Sequence, residues 1–145
     1  MTRRLARCAC GALELSCEGD PVRSSLCHCK DCQRRTGSAF SVAVFYPRDA
    51  VTPRGTSKTF SRPSLAGPAV TFHFCPECGS NVWWAPARMP ERIGVALGAF
   101  ADPGFAPPEQ SVWTRDKHAW VTLPPDMPAF DIQPPPRPAA PTAAS

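Results

Sequence analysis

Seven of the eight cysteines in this 145-residue chain fall into three short clusters whose spacing is typical of metal ligands. The clusters are Cys8-x-Cys10, Cys27-x-Cys29-x-x-Cys32 and Cys75-x-x-Cys78. Thiolates bind zinc at about 2.3 Å, and structural zinc sites take four ligands in a tetrahedron. The clusters therefore predict a zinc-binding protein.

The two outer clusters can together form one closed site. Side chains two residues apart on an extended strand point to the same side, so Cys8 and Cys10 can offer two sulfurs. Cys75 and Cys78 on a tight turn offer two more, and Gly79 after them is typical of a metal-binding knuckle. Structural zinc contributes about 10–16 kcal/mol in small peptides, against roughly 5–15 kcal/mol for the total stability of a domain. Loss of one ligand is therefore predicted to threaten folding.

The middle cluster indicates a different kind of site. Cys27, Cys29 and Cys32 offer three ligands within six residues, and no fourth ligand is evident nearby. Three protein ligands and an open position are the pattern of a catalytic zinc, which acts as a Lewis acid or lowers the pKa of a bound thiol. His28, between two of these cysteines, is predicted to point away from the metal.

Spacing leaves two questions open. Cys8 and Cys10 could instead share an ion with two of the middle cysteines. The middle cluster could also be a second structural site completed by a distant ligand, for which His73, His118 and Cys17 are the candidates.

The elements that must position these cysteines are mainly β-strands. Alternating or continuous apolar stretches with β-branched and aromatic residues predict short strands, at residues 12–17, 22–26, 39–46, 58–60, 69–74, 81–85, 93–97, 111–115 and 119–123. Residues 29–35 contain no Gly or Pro and stop before Gly37, which predicts one or two helical turns.

Composition favours a cytoplasmic globular domain. Hydrophobic residues make up 43% and charged residues 19% of the chain, and the net charge is +4. No secretory leader or membrane-length apolar run is evident, and a reducing compartment favours metal binding over disulfides for these cysteines. The charge is too weak and spread out to predict a nucleic-acid partner. The oligomeric state is not predicted.

The prolines that crowd the C-terminal end predict a boundary. Proline fixes φ and lacks a backbone donor, so a run such as residues 134–138 cannot join a helix or a sheet. We expect one zinc domain over residues 1–130 and a disordered or polyproline-like tail over residues 131–145.

Three ordered motifs resemble the glutathione-dependent formaldehyde-activating family, which is also called centromere protein V-like. The motifs are Cys8-x-Cys10-Gly11, Cys27-His28-Cys29-x-x-Cys32-Gln33-Arg34-x-Thr36-Gly37-Ser38 and Phe74-Cys75-x-x-Cys78-Gly79. Later features agree with it, namely Val95-Ala-Leu-Gly98, Asp102-Pro103, Val112-Trp113 and Trp120. The resemblance spans roughly residues 5–130 and is closest to the short members of the family.

The resemblance implies a β-tent, a fold of small antiparallel sheets stitched together by zinc. It also implies how the cysteines divide. Cys8, Cys10, Cys75 and Cys78 would hold the structural zinc, and Cys27, Cys29 and Cys32 would hold a second, catalytic zinc.

The activity implied by the resemblance is the condensation of formaldehyde with glutathione to S-(hydroxymethyl)glutathione, formally a carbon–sulfur lyase reaction. An open zinc would favour the thiolate of glutathione, which is the nucleophilic form. Lys30, Arg34 and Arg35 are the predicted contacts for the carboxylates of glutathione. The alternative is a non-catalytic β-tent whose zinc only stabilises a binding module.

Overall fold

The computed structural model describes residues 2–135 and consists mainly of short β-strands. The described residues form ten strands: β1 Arg3–Arg7, β2 Glu14–Glu18, β3 Arg23–Cys27, β4 Ser41–Pro47, β5 Val51–Arg54, β6 Lys58–Pro63, β7 Ala69–Phe74, β8 Asn81–Pro86, β9 Arg92–Ala96 and β10 Ser111–Val112. One α-helix, α1, spans Lys30–Thr36, and three single 3-10 turns cover Arg48–Ala50, Leu97–Phe100 and Thr114–Asp116. The predicted mainly β class is confirmed.

The strands form two sheets of unequal size. The smaller sheet has the order β1-β2-β5, and the larger has the order β10-β3-β4-β9-β8-β7-β6. All pairs are antiparallel except β10 with β3. Antiparallel pairing needs only short connections, which suits strands of two to seven residues.

The main core lies between the two sheets. Alternation along β4 turns Val44 and Tyr46 into this core, while Ser41, Ala43 and Phe45 face the other side of the large sheet. The small sheet contributes Leu15 and Cys17, both fully buried. The large sheet is therefore covered on one face and open to a cleft on the other.

Helix α1 is short because its two ends are fixed by local chemistry. The Cys29 Sγ atom accepts a hydrogen bond from the Cys32 backbone N–H at the N-terminus. At the other end Gly37 takes the left-handed conformation with φ 66°, and its N–H donates to the Gln33 carbonyl. The predicted one or two turns at residues 29–35 are confirmed.

Two strands of the small sheet were not predicted. β1 is charged, and its arginines are balanced across the strand pair by Glu14 and Glu18. β5 contains Pro53, which an edge strand tolerates because one side of its backbone needs no partner. Both strands lack the apolar alternation on which the other predictions depend.

The strand predictions near the end of the chain were partly wrong. Trp113 has a φ of 57°, so the strand predicted over residues 111–115 ends at Val112. The strand predicted over residues 119–123 is absent, since the Val121 N–H donates to the His118 carbonyl in a turn. Residues 128–130 lie beside Ser111 instead and form hydrogen bonds with its backbone.

The boundary predicted at residue 130 stays a prediction. Asp131 forms an ion pair with Arg115, and the Ile132 carbonyl accepts a hydrogen bond from Trp113. The greater part of the predicted tail, residues 136–145, lies outside the described residues. Within residues 2–135, no helix has the length and apolar character required to cross a bilayer.

Candidate metal centres and the adjoining cleft

Four cysteines from distant parts of the chain converge on one point. The sulfurs of Cys8, Cys10, Cys75 and Cys78 all lie within 4.8 Å of one another. The Cys8–Cys10 separation is 3.6 Å and the Cys10–Cys75 separation is 3.7 Å. Tetrahedral ligands at about 2.3 Å from an ion stand about 3.8 Å apart, so this set could hold a metal ion in the geometry that zinc takes.

Two tight turns aim these sulfurs inward. Gly11 and Gly79 follow the second cysteine of each pair, with φ of 81° and 74°, a conformation that other residues adopt only with strain. The Leu13 N–H donates to the Cys8 sulfur at 3.2 Å. Cys8 and Cys10 thus lie on a turn after β1, and the expectation that they share an extended strand was wrong.

The four-cysteine cluster joins the two sheets. Cys8 directly follows β1 of the small sheet, and Cys75 directly follows β7 of the large one. A hydrogen bond from the Ala9 N–H to the Ser80 hydroxyl spans the same junction at 3.1 Å. Cys8 and Cys75 are both buried in the main core. The cluster therefore adds a connection between the sheets to the apolar core that packs between them.

The three middle cysteines form a second, local cluster. Cys27 ends β3, Cys29 caps α1, and Cys32 lies in its first turn. Their sulfurs also lie within 4.8 Å of one another, and the three donors fit a metal ion that keeps one position open. They line one end of the cleft on the open face of the large sheet.

The protonation of the two clusters is uneven. Hydrogen bonds with Cys27 and Cys29 lower the pKa of Cys32, whereas hydrogen bonds with Cys29 and Cys32 raise the pKa of Cys27. In the other cluster a hydrogen bond with the Ser80 side chain lowers the pKa of Cys78 to about 5. Such crowded thiols cannot all ionise unless a cation joins them, which is what a metal ion provides.

Neither distant histidine completes the three-cysteine cluster. The His73 Nδ1 atom pairs with the Ser57 hydroxyl at 2.9 Å, and the His118 Nε2 atom pairs with the Gln33 side chain at 2.9 Å. Cys17 is buried in the main core. Within residues 2–135, no other cysteine, histidine or acidic side chain joins Cys27, Cys29 and Cys32.

His28 fixes the position of the three-cysteine segment. Its side chain is fully buried, and its Nε2 atom lies 2.8 Å from the Ser111 hydroxyl. Its backbone N–H donates to the Val112 carbonyl on β10. Burial lowers the pKa of His28, so the neutral ring is favoured. The prediction that His28 packs away from the metal position agrees with these contacts.

Of the three predicted substrate contacts, Arg35 is the one that faces the cleft. It lines the cleft with the three cysteines, and its guanidinium stacks 4.6 Å from the Trp84 ring and 5.1 Å from the Phe72 ring. Its Nη1 donates to the Asn81 side chain at 2.6 Å. The positive charge of Arg35 adds to the lowering of the Cys32 pKa.

The other two predicted contacts point elsewhere. Lys30 and Arg34 are both exposed, and neither lines the cleft. Arg34 instead borders a neighbouring groove that includes Phe60 and Phe74. Their role as substrate contacts stays a prediction.

The sequence did not reveal three further arginines that shape the cleft. Arg23, Arg62 and Arg88 join Arg35 on its walls, and Trp84 and Trp113 contribute aromatic surface. The cleft has a volume of about 160 Å³. The three arginines come from β3, from β6, and from the chain between β8 and β9, so only strand order brings them together. No local signal in the sequence would have identified them.

Gly94 is required by the position of Trp84. A Cβ atom at Gly94 would lie 2.2 Å from the Trp84 Nε1 atom, far inside contact distance. The glycine thus lets the indole lie flat across β9, where it supports Arg35 from below. A close approach of this kind explains a glycine inside a strand.

Comparisons with known proteins find a sequence family and a similar fold. The sequence model of the family described as glutathione-dependent formaldehyde-activating enzyme matches residues 3–116. A crystal structure of a Rhodobacter sphaeroides protein from a structural genomics programme is similar in fold, with a TM-score of 0.53 and 21% identity over 71% of this chain and 91% of that chain. No curated protein sequence matches significantly. The match over most of its length means that this chain belongs to the glutathione-dependent formaldehyde-activating enzyme family.

Proposed function

We propose that this protein is a zinc-dependent enzyme of the carbon–sulfur lyase type, which condenses an aldehyde such as formaldehyde with a thiol such as glutathione. The observation that carries the proposal is the convergence of three sulfurs, from Cys27, Cys29 and Cys32, at the end of a cleft with no fourth ligand among residues 2–135. Family membership supports the same chemistry.

The proposal assigns the two cysteine clusters different ions. Cys8, Cys10, Cys75 and Cys78 would hold a structural zinc, and Cys27, Cys29 and Cys32 would hold a catalytic one. When bound at the three-cysteine cluster, zinc would supply an open Lewis-acid position that favours the thiolate form of a substrate thiol.

Residues around the cluster would position the sulfurs, stabilise negative charge and limit water. His28 holds the cysteine segment against β10, so that the three sulfurs keep their spacing. Arg35 places a positive charge beside the sulfurs and stabilises negative charge there. The apolar walls formed by Phe72 and Trp84 limit water beside the reacting sulfur, which strengthens these electrostatic effects.

A reducing cytoplasmic setting fits this proposal. All eight cysteines are free thiols, and two clusters of adjacent thiols would oxidise in an oxidising compartment. Glutathione, the proposed thiol partner, is also the abundant thiol of reducing compartments.

The experiment is exchange NMR of formaldehyde and glutathione with fully zinc-loaded protein. We expect faster interconversion with S-(hydroxymethyl)glutathione than in buffer, and no acceleration with the Cys29→Ser variant. Cys17→Ala is the matched control, since this buried cysteine belongs to neither cluster. Buffer-like rates with zinc-loaded wild-type protein would contradict the proposal and favour the non-catalytic binding module.

A further inference from the structure

The charge of the cleft is one-sided. Four arginines line it, namely Arg23, Arg35, Arg62 and Arg88. Over residues 2–135, no aspartate or glutamate side chain lines the same cleft. The positive charge of the whole chain is modest, so this concentration is a local feature.

The walls around these arginines strengthen their effect. Phe45, Val70, Phe72 and Trp84 supply apolar surface between the charged groups. A cleft with low-dielectric walls and charge of one sign focuses the electric field and attracts counter-ions. Within it, a hydrogen bond between an arginine and an anion is stronger than the same bond in open solvent.

Arg62 is held in a defined position by contacts that use only part of its guanidinium. Its side chain is 22% exposed, and its Nη1 lies 3.4 Å from an Asp31 carboxylate oxygen and 3.1 Å from the Pro63 carbonyl. Its guanidinium also stacks on Phe72 at 5.1 Å. No residue within 2–135 hydrogen-bonds to its Nε or Nη2, so the remaining edge of the fork is available to a ligand.

Arg88 has fewer attachments. It is exposed at the turn after β8, and its contact is a 3.5 Å hydrogen bond from Nη2 to the Gln133 side chain. A guanidinium held this weakly can reorient toward an anion in the cleft without breaking a strong interaction. Arg62 and Arg88 therefore give two separate anion-binding groups along one cleft.

A cationic group finds no comparable partner there. An ammonium in this cleft would meet four arginines and no lining carboxylate, because the Asp31 carboxylate is paired with Arg62 and lines the neighbouring groove. Like-charge repulsion would therefore oppose entry of the ammonium. Glutathione carries two carboxylates and one ammonium. The arginines would attract the carboxylates and repel the ammonium. The cleft thus favours the anionic parts of such a molecule alone.

We propose that the cleft selects thiols carrying two or more carboxylates, bound by Arg62 and Arg88, and leaves any ammonium group of the substrate in solvent. The inference rests on the proposed function, because that function places the thiol end of the substrate at Cys27, Cys29 and Cys32. It adds that a thiol dicarboxylate without an ammonium group binds at least as well as glutathione.

Isothermal titration of the zinc-loaded full chain at low salt tests the selectivity. The probes are glutathione, N-acetylglutathione, glutathione diethyl ester and mercaptosuccinate. We expect N-acetylation to leave the Kd of glutathione unchanged or lower, mercaptosuccinate to bind, and esterification to raise Kd about 10-fold or more. Weaker binding after N-acetylation, equal binding of the diester, or no binding of any dicarboxylate would overturn the inference.

Single variants test the assignment to these two arginines. Arg62→Gln and Arg88→Gln are each expected to raise the Kd for N-acetylglutathione about 10-fold, and to have little effect on the Kd of the diester. Arg54→Gln is the matched control, since Arg54 lies on the small sheet and is 84% exposed. An unchanged Kd in either cleft variant would overturn the assignment of that arginine. Arg88→Gln therefore remains a test even if Arg62→Gln fails to fold.

Binding and turnover separate the two proposals. S-methylglutathione has no free thiol but keeps both carboxylates, so its binding reports on the arginines alone. Arginine-dependent binding of this probe without any acceleration of the aldehyde reaction would contradict the proposed enzyme and support the selectivity. Acceleration that is equal for glutathione and its diester would support the enzyme and contradict the selectivity.

Discussion

The two cysteine clusters use the same ligand type for opposite structural purposes. The four-cysteine cluster joins Cys8 after β1 to Cys75 after β7 and so links two separate sheets. The three-cysteine cluster is drawn from residues 27–32 alone and opens onto a cleft. A closed cluster between distant elements stabilises the fold, whereas a local and open cluster can be lost with the fold intact. The proposed division into a structural and a catalytic site therefore rests on where the ligands lie along the chain, since both clusters offer the same ligand chemistry.

The largest effect is expected from breaking the four-cysteine cluster. Cys75→Ser removes a fully buried cysteine of the proposed structural zinc site and weakens the connection between the sheets. The loss in free energy of unfolding is expected to approach about 10–16 kcal/mol, the contribution of structural zinc in small peptides. This loss equals or exceeds the stability of most domains. Thermal unfolding followed by circular dichroism should lose its cooperative transition. A melting temperature equal to that of wild type would contradict the structural role.

Breaking the three-cysteine cluster should instead abolish activity alone. Cys32→Ser is expected to keep the cooperative unfolding transition, because α1 contributes no buried side chain to the core. The variant should bind one metal equivalent fewer and lose about 100-fold or more in kcat/KM for the aldehyde–thiol reaction. Metal content by mass spectrometry and exchange NMR measure both. Unfolding as severe as in Cys75→Ser would erase the contrast between the clusters.

A change to the cleft floor should have an intermediate effect. Gly94→Ala forces the Trp84 indole away from β9, because the new methyl group would lie 2.2 Å from its Nε1 atom. We expect a destabilisation of about 1–3 kcal/mol, a changed near-ultraviolet circular dichroism signal, and a raised KM as Arg35 loses its support. Gly98→Ala is the matched control, since its added methyl group meets no atom within 4 Å. Equal behaviour of the two variants would show that Trp84 does not depend on Gly94.

The smallest effect is expected within the small sheet. Glu14 accepts a hydrogen bond from Arg7 at 2.7 Å, which lowers the pKa of its carboxyl below the usual 4.5. Its contribution is therefore present above about pH 4.5 and is lost as the pH falls through the lowered pKa. Glu14→Gln should lower the melting temperature by a few degrees at most at pH 7 and have no effect near pH 2. Glu18→Gln, whose side chain is 46% exposed, is the control.

Local signals predicted the parts of this fold that depend on neighbouring residues. β4 and β7 are continuous apolar stretches, and the Cys75–Cys78 knuckle carries its own turn glycine, so each could be recognised within a few residues. α1 was equally clear, because it begins at a cysteine and ends at Gly37. The division of the cysteines into two clusters came from the family resemblance, and their convergence follows it.

Features that depend on distant pairing could not be predicted. β1 is stabilised by ion pairs with β2. β10 ends at Val112, because the next residue, Trp113, takes the left-handed conformation. Arg62 and Arg88 meet in the cleft because β6, β7 and β8 are adjacent in the large sheet. Neither arginine has a neighbour in sequence that marks it, whereas Lys30 and Arg34 were chosen for lying close to the cysteines along the chain.

Loading the protein with cobalt(II) in place of zinc tests the central contrast most directly, because cobalt absorption reports the ligands around each ion. We predict two cobalt ions per chain, and a thiol substrate should change the spectrum of one ion while the other stays constant. Cys32→Ser should remove the responsive signal and leave the constant one. A single ion per chain, or two ions whose absorption does not change when the thiol is added, would contradict an open site at Cys27, Cys29 and Cys32.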